Sequence, residues 1–282
     1  MIKDHKMLIV LGSIILITLI IAYLFARFIS TKGLIIKEYK VIDSMLPEEF
    51  YGLKIVHIGD IHYGRTVNKK ELEHLVDEVN KLKPDIVVFT GDFIDKDTLS
   101  NASLAEEISD IMARIKASIG KYAVTGNHDA KNKLYTKLIL ESEFVLLDNT
   151  YDIVYKGGLT PIFIGGSGTY SYNLDSLEET FSYFNDDNPN LYKILLMHEP
   201  DLMTKARKYD VNLALAGHSH NGQVRLPFIG GIIFPKHAKT YNGPYYKVDD
   251  THLFITSGVG TSGLNLRFFN KPSINLYRLV NK

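Results

Sequence analysis

Leu53–His62 reads LKIVHIGDIH, an apolar strand that stops abruptly in Gly-Asp-x-His. The same form recurs four times. Ile86–Asp92 is IVVFTGD, Tyr122–Asp129 is YAVTGNHD, Ile194–Pro200 is ILLMHEP, and Leu213–His220 is LALAGHSH. Each run is short, continuous and apolar, the pattern of a strand buried on both faces. Helical periodicity lies between them. Asn68–Leu82 puts Leu72, Leu75, Val76, Val79 and Leu82 on one face, and Pro84 follows its end. Ala105–Ala117, Lys133–Glu141, Leu177–Phe184 and Leu202–Tyr209 also read as helices. Further strands are predicted at Phe144–Leu147, Asp152–Tyr155, Pro161–Ile164, Gln223–Leu226, Gly231–Phe234, Tyr245–Val248, Leu253–Ser257 and Ser273–Leu279. Alternating strands and helices followed by clustered strands predict a layered α/β sandwich.

Ligands in α/β proteins bind beyond the carboxyl ends of the strands. Five strands therefore deliver Asp60, His62, Asp92, Asn127, His128, Asp129, His198, His218 and His220 to one rim. On extended backbone the two histidines of Gly217-His-Ser-His220 share one side. Oxygen and imidazole donors suit Mn, Fe, Zn or Co better than Ca. Seven such ligands exceed the three or four that one zinc ion takes from protein, by about a whole second site. They suffice for two ions if one carboxylate bridges, and two metals about 3.5–4 Å apart form a clamp for in-line attack at phosphorus. Taken singly, the motifs have plainer readings: Gly-Asp after a strand is also a turn with a helix-capping Asp, and His-Glu-Pro is also a helix entry. Five in order, each after an apolar strand, point to a site.

The rest of the chain limits the function classes. Of 282 residues, Lys+Arg number 32 and Asp+Glu 32, so no basic excess supports unspecific nucleic-acid binding. Cysteine is absent, which excludes a disulfide framework, a thiolate zinc site and a cysteine nucleophile. Met7–Ala26 is a 20-residue run without charge, long enough at roughly 1.5 Å per residue to span about 30 Å of hydrocarbon. It lacks the small-x-small cleavage site of a signal peptide. The chain divides into a tail (1–6), a transmembrane helix (7–29), a juxtamembrane linker with a first strand (30–49) and a soluble domain (50–282). Lys3 and Lys6 precede the span, whereas Arg27, Lys32, Lys37 and Lys40 follow it. That asymmetry points the domain of a single-pass cell-membrane protein to the cytoplasm.

The series Asp60-x-His62, Gly91-Asp92, Gly126-Asn-His-Asp129, His198 and Gly217-His-x-His220 resembles the calcineurin-like metallophosphoesterases, over about residues 50–280. Gly217–Pro227 (GHSHNGQVRLP), Gly258–Arg267 (GVGTSGLNLR) and Pro272 resemble the bacterial membrane-anchored branch. That branch holds general phosphodiesterases and the UDP-2,3-diacylglucosamine pyrophosphatases of lipid A synthesis. The resemblance implies a four-layer αββα sandwich and hydrolysis of phosphodiester or diphosphate bonds by a metal-bridging hydroxide. It implies two divalent transition-metal ions, with Mn the first choice. Asp60, His62 and His220 would hold one ion, Asn127, His198 and His218 the other, and Asp92 would bridge. His128 would act as general acid over the phosphate, oriented by Asp129. Arg225 and Arg267 are expected to bind substrate, with ordinary surface or structural arginine as the plainer reading, and the anchor makes a lipid-linked phosphoester a candidate substrate. Gly91-Asp-Phe-Ile-Asp95-Lys-Asp97 lacks the Arg-Gly of phosphoprotein phosphatases in this superfamily, which argues against that substrate. Asp95 reads either as a support for the site or as a turn residue. The Tyr170, Tyr172, Tyr183 and Phe184 excursion reads as flanking the cleft or as local packing. A non-catalytic metal-binding scaffold and a nuclease are the remaining readings; intact ligands and zero net charge, respectively, oppose them.

Overall fold

The computed structural model describes residues 2–95, 102–184 and 190–281, with side chains from His5 onward. Lys96, Asp97 and residues 185–189 of the aromatic excursion lie outside the described residues.

Two six-stranded sheets form the centre. The first takes strands β1 (Ile35–Ile42), β2 (Lys54–Ile58), β3 (Ile86–Phe89), β4 (Gly120–Ala123), β5 (Val145–Leu146) and β14 (Ser273–Val280) in the order β1-β14-β2-β3-β4-β5. The second takes β6 (Thr150–Val154), β7 (Ile162–Gly166), β8 (Tyr192–Leu196), β9 (Leu213–Ala216), β12 (Tyr245–Val248) and β13 (Thr251–Ile255) in the order β12-β13-β9-β8-β7-β6. Between these runs lies a small ribbon, β10 (Arg225–Leu226) with β11 (Gly230–Gly231). β2, β3 and β4 are mutually parallel, as are β7, β8 and β9. Their carboxyl ends therefore emerge together, sheet by sheet.

The core has three apolar layers. Ile55, Val88, Tyr122, Ile164, Ile194, Leu215 and Tyr277 fill the space between the sheets. Val56, Val87 and Phe89 face outward onto helices α2 (Lys69–Lys81), α3 (Ala102–Ala113) and α4 (Tyr135–Glu141). Phe163, Leu195 and Ala214 face the opposite way, onto the short helices α5 (Leu177–Thr180) and α6 (Met203–Ala206). Two sheets packed face to face and clad on both sides make the four-layer αββα sandwich.

Local chemistry explains the boundaries. Asn68 Oδ1 accepts from Lys70 N at 2.9 Å and Glu71 Oε2 accepts from Asn68 N at 3.2 Å, a capping box that starts α2. Asn68→Ala is expected to cost about 1 kcal/mol, or roughly 2–4 °C in melting temperature for a domain of this size, read by thermal unfolding. The helix predicted over Ala105–Ala117 instead runs Ala102–Ala113. Asn80 of α2 stops it: its amide donates to Arg114 O at 2.9 Å and accepts from Lys116 N at 2.8 Å, taking groups that further helix would need. Leu202–Tyr209 is a 3-10 turn, one α turn and a second 3-10 turn, and Leu177–Phe184 is helical only to Thr180. The strand predicted over Gly231–Phe234 ends at Gly231. Tyr151, Phe163, Phe181, Tyr183, Phe184 and Tyr209 stack on one another over the second sheet, so the excursion is local packing there.

At the amino end, α1 (Ile2–Leu24) continues into a π-helical turn, Phe25–Ile29. The stretch His5–Ile29 is long and apolar enough to cross a membrane, and its most apolar 18-residue window has no residue buried. The following residues are not a free tether. Arg267 N donates to Ala26 O at 3.0 Å, Phe25 meets Phe268 edge-on at 6.2 Å, and Ser30 is buried. β1 begins five residues later and pairs in parallel with β14.

Candidate metal centre

Five strand ends converge, those of β2, β3 and β4 from one sheet and β8 and β9 from the other. The loop after β2 continues to pair beyond its strand: Asp60 N donates to Gly91 O at 2.9 Å and His62 N to Asp92 O at 3.1 Å. Gly91 adopts φ +87°, and a Cβ there would strike the Gly126 backbone, while a Cβ on Gly126 would strike Asp92. The two glycines thus let the β3 and β4 turns touch. Asp60, His62, Asp92, His218 and His220 all hold left-handed backbone, φ 45° to 64°. Each such residue costs about 1–2 kcal/mol against right-handed backbone. Strain of this kind persists where surrounding structure imposes it, commonly at working sites.

The donor atoms gather in overlapping sets: Asp60, His62 and His220; Asp92, His198 and His218; and His62, Asp92 and His128, each within 4.8 Å of one another. Asp92 Oδ2 lies 3.2 Å from His198 Nε2, 3.6 Å from His62 Nε2 and 4.0 Å from His128 Nε2. Asn127 Oδ1 is 3.1 Å from His198 Nε2. The imidazoles are oriented from behind. His198 Nδ1 donates to Thr90 O at 2.7 Å and His218 Nε2 to Lys236 O at 2.7 Å, leaving the other ring nitrogen of each for the centre. Backbone carbonyls in this position are the usual means of fixing the tautomer of a metal ligand.

A cation fits this arrangement better than any hydrogen-bonding scheme among the described residues. Asp60 Oδ2 and His62 Nδ1 are buried without a hydrogen-bond partner. His62 Nε2 and His220 Nε2 face each other at 3.2 Å. Burial pushes the Asp60 carboxyl up to about 7 and the His62 imidazole down to about 3. Burial, then the His62 and Arg267 charges, also hold His220 well below the usual imidazole range. Neutral imidazoles such as His62 and His220 beside carboxylates are the state a divalent metal requires, and its charge would offset the burial of Asp60. At His198 burial is outweighed by the Asp92 carboxylate, which holds the ring well above the usual imidazole range, so a metal there would displace a proton. His57, also buried, is a core residue. It sits 2.9 Å from Thr90 Oγ1 and 3.2 Å from Tyr277 Oη, and burial drops it to about 3.

Three expectations change. Asp129 does not touch the His128 ring. Its carboxylate turns back and accepts from the N–H groups of Asp92, Phe93, Ile94 and Gly126 at 2.6–3.3 Å, tying the two turns together. Burial and the Asp92 charge push it up to about 8, and those N–H donors oppose the rise. The His128 ring is instead held by Asp95, whose Oδ1 lies 3.1 Å from Nδ1. Asp95 is itself paired with Arg65, a residue that sequence motifs do not mark; Arg65 also donates to Gly263 O at 2.9 Å. Arg267 is not presented to solvent or to a ligand. It is fully buried, and its guanidinium donates to Ser257, Gly258, Gly260 and Asn270 carbonyls. Beside it, Asn270 Nδ2 donates to His220 O at 2.6 Å. The tail segment that resembles the bacterial branch therefore braces the His220 and Asp60 loops; Gly260 N donates to Asp60 O at 2.8 Å. Arg225 stands outside the histidine cluster, at the base of the β10–β11 ribbon, donating to Asn221 O at 2.5 Å.

The cleft over the cluster has a volume of about 340 Å³. His128, His218, His220, Asn127 and Asp92 form its floor, and Val224, Ile233, Phe234 and Leu264 its apolar wall.

Comparison with known proteins agrees with this geometry. The calcineurin-like phosphoesterase family matches residues 53–222, more than half of the chain. The uncharacterized metallophosphoesterase YkuE of Bacillus subtilis is 33% identical over 261 residues, covering 91% of this chain and 89% of that protein. A zebrafish (Danio rerio) transmembrane protein with metallophosphoesterase domain is 29% identical, covering 83% of this chain and 56% of that protein. Among solved structures, Haemophilus influenzae NAD nucleotidase superposes with a TM-score of 0.50 at 18% identity, covering 73% of this chain and 45% of that one. That last likeness concerns the fold alone. The chain belongs to the calcineurin-like phosphoesterase family, whose members hydrolyse phosphoester bonds with divalent metals.

Proposed function

We propose that the protein is a membrane-anchored hydrolase of phosphodiester or diphosphate bonds that works with two divalent transition-metal ions. The observation that carries this reading is the adjacency of two three-residue donor sets, Asp60-His62-His220 and Asp92-His198-His218, with Asp92 Oδ2 of the second 3.6 Å from His62 Nε2 of the first. Asp60, His62 and His220 would hold one ion, Asn127, His198 and His218 the other, and Asp92 would serve both. Bound there, such ions would supply Lewis acidity, lowering the pKa of a water and drawing charge from phosphate oxygens. The oxygen and nitrogen donors favour Mn, Fe or Zn, with Mn tried first.

The chain's own residues do the rest. His128 is partly exposed in the cleft, with Nδ1 against Asp95 and its backbone N–H donating to Asp92 Oδ1 at 2.8 Å. With Nδ1 held by a carboxylate, Nε2, 4.0 Å from Asp92 Oδ2, is the nitrogen that would carry a proton to the leaving oxygen. Asp95 and Arg65 act as positioning residues. Asp95→Asn is expected to lower kcat about 10–100-fold and to shift the pH profile of kcat, with KM little changed. His128→Ala is expected to lose more while keeping its metal content. An Asp95→Asn enzyme with an unaltered pH profile would remove Asp95 from this role.

Membrane anchoring is supported by the exposed His5–Ile29 helix and by the name of the zebrafish relative. The excess of Lys and Arg after the helix supports a cytoplasmic domain. The apolar wall of the cleft favours a lipid-linked phosphoester. The test is hydrolysis of bis-(p-nitrophenyl) phosphate by the full chain in detergent, metal-stripped and with added Mn. Turnover that disappears on chelation and returns with Mn is expected. A folded, metal-loaded protein without turnover on this ester or on lipid-linked diphosphates would favour the scaffold reading.

A further inference from the structure

We propose that the β10–β11 ribbon and Phe269 form a second membrane contact, continuous with the anchor, that seats the mouth of the cleft on the bilayer surface. The inference rests on the anchoring read from the His5–Ile29 helix, and goes beyond it.

Depth is the first argument. Ala26 and Phe25 lie inside the apolar span, yet both touch the domain, at Arg267 N and at the Phe268 ring. The 267–269 loop therefore sits level with the membrane end of the helix. The next residue, Phe269, is 63% exposed and holds φ +49°. A large apolar side chain at that level faces the interface.

Continuity is the second. Phe268 pairs directly with the stem of the ribbon: Phe268 N donates to Gln223 O at 3.2 Å and Arg225 N to Phe268 O at 2.9 Å. The ribbon's tip is Pro227-Phe228-Ile229. Phe228 is fully exposed with φ +67°, and Ile229, Ile232 and Ile233 are exposed beside it. A bulky residue in left-handed backbone at an apolar tip gains nothing from water, whereas the acyl–headgroup boundary accepts it. Ile233 also lines the cleft, so the apolar surface runs from the anchor to the active-site mouth.

Charge is the third. Arg27 and Lys32 flank the helix end, and Lys271 lies beside Gly33. Arg225, partly exposed at the base of the ribbon, adds another cation. Cations around an apolar surface fit anionic headgroups.

The chain contains no tryptophan, so one substitution gives one reporter. Full-length Phe228→Trp, Phe269→Trp and Leu159→Trp are reconstituted into phosphatidylcholine–phosphatidylglycerol vesicles, with and without a lipid doxyl-labelled near the headgroup. Leu159 is exposed in the β6–β7 turn, at the amino ends of the parallel strands whose carboxyl ends carry the cleft. The expected result is blue-shifted emission at 228 and 269, most of it quenched by the doxyl lipid, with water-like, unquenched emission at 159. Emission at 228 and 269 as water-like as at 159, in chains that float with the vesicles, would overturn the contact and leave the anchor standing. A blue shift without doxyl quenching would mean a protein cover and would overturn it too. Chains that fail to float would remove the anchor and this inference together. Turnover of the aryl phosphodiester is scored separately and decides neither outcome.

Discussion

Asp92→Asn is expected to lower turnover on the order of 10³-fold or more, because one carboxylate would serve both proposed ions. Asp92 Oδ2 lies 3.2 Å from His198 Nε2 and 3.6 Å from His62 Nε2. Exchanging it for an amide removes the single negative charge common to both sets and turns N–H donors toward imidazole nitrogens. A thousandfold loss corresponds to about 4 kcal/mol of transition-state stabilisation, which charge neutralised in a dry site readily supplies. The fold should survive, since an amide oxygen can still accept from His128 N. The measurement is kcat on bis-(p-nitrophenyl) phosphate with metal content determined on the same sample. Loss of metal with loss of turnover supports the bridging role, and a near-wild-type rate would falsify it.

Arg267→Met is expected to destabilise the domain by about 3 kcal/mol, lowering its melting temperature by roughly 6–12 °C. The reasoning is one of stranded acceptors. Three carbonyls, from Ser257, Gly260 and Asn270, take their donor from one buried guanidinium, and a fourth, Gly258 O, shares it with Ser273 N. Burial already brings that guanidinium down to about 9, so its charge is costly in place, and deleting it recovers part of the loss. The unpaired carbonyls dominate, because methionine fills the volume without supplying a donor. Arg267→Lys keeps the charge but not the planar fork, and an intermediate loss is expected. The His220 loop should loosen with it and metal affinity should fall. Unchanged melting with a raised KM would instead make Arg267 a substrate contact.

The two arginines illustrate why part of the site is legible in sequence and part is not. Donor types and their attachment to strand ends are local properties. A β2 that is apolar to Ile58 and then reads Gly-Asp-Ile-His presents those side chains at a strand terminus in any packing. The same holds for β3, β8 and β9, whose boundaries agree with the reading to within a residue or so. Partner choice is not local. His128 is adjacent to Asp129 in sequence, but the turn after β4 directs that carboxylate back onto four N–H groups. Asp95 reaches the ring from the β3 loop, 33 residues away. Arg267 carries the residue type expected for phosphate recognition. Only the folding of the 257–270 loop under His220 puts that fork on carbonyls instead.

The sequence by itself therefore determined the sandwich class, the apolar span and the identities of the gathered donors, because periodicity, length and residue chemistry depend on near neighbours along the chain. Tertiary structure decided which carboxylate holds His128, which arginine is structural and where the β10–β11 ribbon lies. Those depend on loops from separate strands meeting in space. It also decided the left-handed backbone of five of the seven proposed ligands, none of them glycine. Local propensity disfavours that conformation, and only the packing of the β2, β3 and β9 loops against one another imposes it.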